Sequence, residues 1–200
     1  MLLHFFLSKI ARALFRPPDA TKSADQLVRY TMRLGFRTFR DPEFRRHVEF
    51  TELSTGEQDR MFNELMASNL VLATLMTDTF AKLANRGVSD FFRAVCTEIT
   101  ERFSATLRGM GIAEEHACTW IKLLELRRDE YEDQRLYSRS SLPEFGEGNP
   151  WLRVVAVGCL FHIRRGKPAK DDPLFPIFIR QAVAVSECTR RVILRATRRL

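Results

Sequence analysis

Cys159 and His162 are the two residues whose types and spacing come closest to metal-binding chemistry. A separation of three positions places both side chains on one face of a helix. His116 and Cys118 could in principle complete a set of four ligands. Zinc sites favour tight cysteine pairs on turns that orient the ligands, and neither pair has that context. A buried cysteine beside a hydrogen-bonded core histidine is therefore the preferred interpretation, and we expect no metal or other cofactor.

The sequence carries no recognised enzyme motif. Gly109-x-Gly111 lacks the third glycine and the preceding strand of a dinucleotide-binding loop. The phosphate-binding G-x-x-x-x-G-K, the metalloprotease H-E-x-x-H and the hydrolase G-x-S-x-G patterns do not occur. The carboxylates Glu125, Asp129, Glu132 and Asp133 share a predicted helix with arginines, which predicts a solvated, mutually compensated surface. A non-catalytic role is favoured, while an active site without a known motif stays open.

The first 18 residues combine basic and apolar side chains and contain no acid. In a helix the two kinds would occupy opposite faces, as in helices that lie in a membrane interface with their bases toward phosphates. A mitochondrial presequence has the same composition. The third interpretation is a terminal helix packed on its own core. The expected contacts with a membrane or partner are Leu3, Phe6, Leu7, Lys9, Ile10, Arg12, Leu14 and Arg16.

The C-terminal segment repeats this design. Residues 188–200 carry five arginines and no acid, with Val192 and Ile193 on the opposite side of the predicted helix. Basic residues in a last turn complement the negative end of the helix dipole, which is one explanation. The functional alternative is a contact surface for phosphate or an acidic partner, formed by Arg190, Arg191, Arg195, Arg198 and Arg199.

The net charge of +7 is concentrated at the two ends of the chain. Residues 1–18 contribute +3 and residues 188–200 contribute +5, so residues 19–187 sum to −1. A neutral body with basic ends favours anionic partners at the termini over a nucleic-acid groove across the body.

The four cysteines are far apart and form no C-x-x-C pair, which predicts reduced thiols in a reducing compartment. The longest mostly apolar run covers residues 151–163, whereas a bilayer-spanning helix needs about 20 residues. We therefore predict no transmembrane helix.

Proline and glycine punctuate the chain as they do in helical proteins. One hundred residues without proline separate Pro42 from Pro143, and the glycines between them fall where the apolar periodicity breaks. Asp41-Pro42, Asn149-Pro150 and Asp172-Pro173 each predict a helix start, because a capping acceptor precedes a proline. We predict helices near residues 2–16, 24–40, 42–52, 55–85, 89–108, 113–138, 150–165 and 173–199.

The sequence thus predicts an all-α, single-domain bundle of seven to eight helices. Residues 65–83 and 151–163 are apolar on most sides, so we expect these two helices at the centre. The predicted organisation is a basic amphipathic helix over residues 1–18, followed by a helical domain over residues 19–200 that ends in an arginine-rich helix.

The leading functional hypothesis is a non-catalytic interaction or scaffold protein. We expect an accessory subunit of a membrane-associated or mitochondrial assembly, located in the mitochondrion or on the cytoplasmic face of a membrane. Its partners would be other protein subunits and an anionic membrane surface. One alternative is an RNA-binding component of a ribonucleoprotein, using Arg190–Arg199 and the turn at residues 164–167. Another is a small-ligand or metal-dependent enzyme or sensor built around Cys159 and His162.

Overall fold

The computed structural model describes residues 19–138, 150–166, 168–169 and 171–197, and these form one helical bundle. The described residues contain seven α-helices, a single 3₁₀ turn at Phe50–Glu52 and no strand, which confirms the predicted all-α class. The predicted helix at residues 2–16 lies outside the described residues. The helices are α1 Ala20–Phe39, α2 Pro42–His47, α3 Thr55–Leu83, α4 Arg86–Gly109, α5 Glu114–Ser138, α6 Pro150–Arg164 and α7 Leu174–Thr197.

Side-chain caps set the helix starts. The Asp19 carboxylate accepts a hydrogen bond from the Lys22 backbone N–H at 3.0 Å, so α1 begins one turn earlier than predicted. Ser23 lies inside that helix and donates its hydroxyl to the Asp19 carbonyl at 2.9 Å. Asp41, Ser54 and Asn85 cap α2, α3 and α4 in the same way.

The helix predicted over residues 42–52 is shorter in the structure. α2 ends at His47, and Glu49 adopts a left-handed conformation with φ of 52°. The chain then turns through Phe50–Glu52, which allows both Phe44 and Phe50 to be buried in the same core cluster. In one continuous helix, the helix geometry would fix the directions of these two side chains relative to each other. The break after His47 is what allows both rings to be buried in the same cluster.

α3 is the central helix. It packs against the other five long helices, which surround it in the order α1, α4, α5, α6, α7. Nearly every residue from Met61 to Thr77 is buried, as expected for a helix with neighbours on all sides. α6 lies in the surrounding ring between α5 and α7. It buries Trp151, Val155 and Ile163, while Phe161 on its outer side is 41% exposed.

Side-chain contacts give the directions of the helices relative to α3. The Asn69 amide donates to the Thr31 carbonyl at 3.2 Å, and Gly35 lies against Met66, so α1 runs antiparallel to α3. α7 runs parallel to α3, because the Gln181 side chain donates to Asn69 and Ile193 packs with Ala81. α1 therefore begins, and α7 ends, at the end of the bundle where α3 ends.

Candidate functional site

The two basic segments predicted from the sequence attach to the same end of the bundle. α1 begins there at Ala20, α7 ends there at Thr197, and α3 ends there at Leu83, whose side chain is 80% exposed. We call this surface the Leu83 end. Residues 1–18 join the bundle at this end through Asp19. The predicted contacts Leu3, Phe6, Leu7, Lys9, Ile10, Arg12, Leu14 and Arg16 themselves lie outside the described residues.

The described part of α7 has the two faces that the sequence predicts. Val192 and Ile193 are buried, whereas Arg190, Arg191 and Arg195 are exposed. Arg191 lies 3.7 Å from Glu187, an exposed ion pair of small energetic weight. Leu194 is 44% exposed among these arginines, so the outer face of the last turns is basic with one apolar side chain. Arg198 and Arg199 lie outside the described residues.

The two described arginines of the turn at residues 164–167 are bonded to acidic side chains of the bundle. Arg164 donates two hydrogen bonds to the Asp172 carboxylate, at 2.8 and 3.0 Å, and a third to the His47 carbonyl. Arg165 pairs with Glu57 on α3. Lys167 lies outside the described residues. Both described arginines of this turn are held by the bundle itself.

A second basic surface, which the sequence analysis missed, runs along α1. At 3.6 residues per turn its charged residues fall within about 80° of arc and span about 27 Å. All are exposed, and only Arg29 has an ion-pair partner among the described residues, Asp25 at 2.9 Å. The net charge of residues 19–187 does not reveal this surface, because acids elsewhere in that range cancel its positive charge. The helical spacing of its members can nevertheless be read from the sequence. We call it the α1 basic stripe: Lys22, Arg29, Arg33, Arg37 and Arg40.

The exposed side of α5 carries the opposite charge. Glu125, Asp129 and Asp133 recur every four residues and are exposed. The sequence predicted that arginines of the same helix compensate these acids together with Glu132, and among the described residues this holds only for Glu132. Arg127 turns inward and Arg128 pairs with Glu132 at 3.3 Å. The three acids, which we call the α5 acidic face, have no ion-pair partner among the residues that the structure describes.

A network of hydrogen-bonded polar side chains lies between α3, α5 and α6. Arg127 holds Glu64 in a forked geometry, with Nε to Oε2 at 2.8 Å and Nη2 to Oε1 at 2.6 Å. Arg127 also donates to Glu130 at 3.1 Å, and Glu130 binds His162 Nε2 at 2.8 Å. Burial alone would lower the pKa of Arg127, but its bonds to Glu64 and the nearby carboxylate charges raise that pKa. These partners keep the arginine charged in the interior.

Cys159 and His162 bond to different residues in the structure. His162 bonds to Glu130, whereas Cys159 is buried beside the Ser68 hydroxyl, which is 3.0 Å from the Tyr131 hydroxyl. Burial raises the pKa of the Cys159 thiol to about 12, so the thiolate that a metal requires is scarce at neutral pH. These contacts match a buried cysteine and a hydrogen-bonded histidine. His116 and Cys118 are exposed on α5, and no group of three or more potential ligands is present in the described part of the chain.

An apolar groove of about 380 Å³ opens between α3, α4 and α5. Its size is that of a small-ligand site. Cys96 on its wall donates its thiol to the Thr74 carbonyl, with 3.7 Å between sulfur and oxygen. Burial raises the pKa of Cys96 to about 12, and Asp78 adds to that effect, so this cysteine is a poor nucleophile at neutral pH.

No described helix has the length and hydropathy needed to cross a bilayer. We compared the chain with known protein families, with curated proteins and with solved structures, and none of the three comparisons found a match.

Proposed function

We propose that this protein is a non-catalytic helical interaction protein, an accessory component that attaches to an anionic membrane surface through its Leu83 end. One observation carries the proposal. Position 18 and Arg190 are 172 residues apart in sequence, yet the first segment joins the bundle at the same end at which Arg190, Arg191 and Arg195 lie. A flat anionic surface could contact both segments at once.

The proposed attachment combines apolar and electrostatic contributions. Apolar residues of the first segment, together with exposed Leu83 and Leu194, supply surface that can be removed from water. The two basic segments hold eight lysines and arginines in total. Each basic residue close to an anionic membrane contributes about 1 kcal/mol. Either segment alone is a weak anchor, so the two together favour stable attachment.

The interior supports a structural rather than a catalytic role for the body. Glu64 and Glu130 are bonded to Arg127 and His162, and the buried Asp172 is bonded to Arg164. General acid–base catalysis needs a titratable group that reaches a substrate, whereas these groups bond to one another. The proposed location is a mitochondrial membrane or the cytoplasmic face of another membrane, where the four cysteines stay reduced. Other protein subunits are the proposed partners at that surface.

The test is co-sedimentation with phosphatidylcholine vesicles that contain or lack phosphatidylserine. One variant carries Lys9→Ala, Arg12→Ala and Arg16→Ala, and a second carries Arg190→Ala, Arg191→Ala and Arg195→Ala. At about 1 kcal/mol per basic residue, each should weaken binding to the anionic vesicles by about 100-fold. Wild-type protein should bind vesicles without phosphatidylserine far more weakly.

The matched control removes three arginines from the opposite end of the bundle. Arg40→Ala, Arg46→Ala and Arg108→Ala change the net charge equally, and all three residues are exposed. This variant should bind close to the wild-type level. Failure of the wild-type protein to bind, or equal weakening by the control, would contradict attachment through the Leu83 end.

A further inference from the structure

We infer that this protein assembles side by side with copies of itself, the α1 basic stripe of one copy docking on the α5 acidic face of the next. The inference goes beyond membrane attachment and depends on different residues. It rests on charge complementarity between two exposed faces of the same chain, at matching positions along the bundle.

The two faces have the same spacing of opposite charges. Arg29, Arg33 and Arg37 recur every four residues on α1, as the three acids Glu125, Asp129 and Asp133 do on α5. In each helix this spacing gives a rise of about 6 Å between successive charges. A second α-helix with a charge at every fourth residue presents its charges at this same interval along a line. The stripe therefore fits a helical face better than an irregular anionic surface.

The charges also lie at the same height along the bundle. Thr31 and Gly35 of α1 contact Asn69 and Met66, so Arg33, midway between them, is level with positions 67 and 68 of α3. On α5, Arg127 binds Glu64 and Tyr131 lies beside Ser68. Asp129, midway between those two, is level with position 66. The two heights agree to within about half a turn of helix.

The opposite directions of the two helices then give the pairing. α1 is antiparallel to α3 and α5 is parallel to it, so neighbouring copies placed the same way up would meet through an antiparallel helix pair. Arg33 would face Asp129 of the second copy, with Arg37 facing Glu125 and Arg29 facing Asp133. Arg40 would face Lys122, which ends the complementary stretch after three pairs.

An apolar contact would accompany the ion pairs. Leu126, 58% exposed, lies on the outer side of α5 beside the acids. In the same register it is level with Phe36, a partly buried ring on α1 that packs against Phe62 in a tilted arrangement, with 5.0 Å between ring centroids. Exposed ion pairs alone contribute little to association, so burial of this leucine would add to the interface.

The proposed contact is heterologous. α1 and α5 are not neighbours in the ring, since α4 separates them on one side and α6 and α7 on the other. Two different faces therefore join, and repeated contacts build a row or a closed ring instead of a single symmetric dimer. With every copy the same way up, all Leu83 ends face the same direction.

Sedimentation velocity of wild-type protein over a range of concentrations is the first test. At about 0.05 M salt the weight-average mass should rise with concentration above the 23.3 kDa of one chain. It should return to the monomer value at about 0.5 M salt, where exposed charges are screened. Wild-type protein that stays monomeric at low salt and high concentration would overturn the inference, whatever any variant does.

A charge exchange tests the pairing itself. One variant reverses the stripe with Arg29→Glu, Arg33→Glu and Arg37→Glu, and another reverses the acidic face with Glu125→Arg, Asp129→Arg and Asp133→Arg. Each alone should remain monomeric, because both of its faces then carry the same sign. An equimolar mixture of the two should regain most of the wild-type assembly.

Arg46→Glu, Arg86→Glu and Arg93→Glu form the control, since these exposed arginines lie outside the stripe. The control should assemble as the wild type does. Circular dichroism checks that each variant is folded. A mixture that fails to assemble, or reversed variants that assemble alone, would show that other surfaces cause any association.

Discussion

Arg127 on α5 and Glu64 on α3 form a buried, two-bonded ion pair across 63 residues of sequence. Glu64 is only 5% exposed. Arg127 also donates a hydrogen bond to Glu130, and Glu130 in turn is hydrogen-bonded to His162. These hydrogen bonds join α3, α5 and α6. The pair fixes how α5 sits on α3.

Arg127→Met should destabilise the fold by about 3–5 kcal/mol, because Glu64 would keep a buried charge without its partner. The double variant Glu64→Leu, Arg127→Met should be more stable than the single one, since no unpaired charge remains. Urea unfolding followed by circular dichroism measures both free energies. A double variant that is as unstable as Arg127→Met, or less stable, would contradict this account of the pair.

Gly158 permits close packing of α6 on α5. A Cβ at this position would overlap with the ring of Tyr131, which is fully buried and whose hydroxyl lies 3.0 Å from Ser68. We expect Gly158→Ala to cost about 1–3 kcal/mol or more. Gly35→Ala is the comparison, because its Cβ would meet the flexible Met66 side chain at 2.6 Å, which can move. The prediction fails if the two substitutions cost the same in thermal or urea unfolding.

Asp172 should make stability depend on acid pH. Burial alone would raise its pKa, but the hydrogen bonds from Arg164 and the Leu174 backbone N–H outweigh burial and hold the pKa below its usual value. A carboxylate with a lowered folded-state pKa stabilises the fold above the unfolded-state pKa, and this contribution is lost as pH falls through the folded-state value. The loss therefore lies below about pH 4.

Asp172→Asn should cost about 1–2 kcal/mol at neutral pH, because Arg164 loses its charged partner, while the amide oxygen of asparagine can still accept from the Leu174 backbone N–H. The variant's stability relative to wild type should improve as pH falls below about 4. The exposed neighbour Asp171→Asn is the control and should leave the pH profile of unfolding nearly unchanged. Parallel profiles for Asp172→Asn and wild type would refute the assignment.

The four thiols should differ in reactivity. Cys118 is exposed, whereas Cys159 is buried and its pKa is raised to about 12. With so high a pKa very little of this thiol is ionised at neutral pH. A thiol reagent should modify Cys118 rapidly in the folded protein and Cys159 only after unfolding. Cys118→Ser should remove the fast phase, and rapid modification of Cys159 in folded protein would contradict its burial.

The helices themselves were predictable because local interactions determine them. Asp41, Ser54 and the glycines between helices mark boundaries through caps and turns that lie within four residues of one another. The break after His47 was not predictable in this way. It depends on burying Phe44 and Phe50 in one cluster that also contains residues of α7 more than 120 positions away, among them Phe178, whose ring contacts Phe44.

The charged surfaces were only partly predictable. The exposed arginines of α7 follow from its periodicity. The α1 basic stripe does not appear in the net charge of residues 19–187, because acids elsewhere in that range cancel it. The uncompensated acids of α5 could not be seen, because Arg127 is directed inward by Glu64 and not by its own helix. That the two basic segments attach at one end follows from the packing of α1 and α7 on α3, which no local pattern contains.

The most direct test of attachment through the Leu83 end compares two positions at opposite ends of the bundle. In a Cys118→Ser background, an environment-sensitive fluorophore is placed by Leu83→Cys or by Met110→Cys, both at exposed positions. Adding vesicles that contain phosphatidylserine should shift the Leu83 label toward the blue and leave the Met110 label unchanged. A shift at Met110, or no shift at Leu83 when the protein is vesicle-bound, would contradict the account.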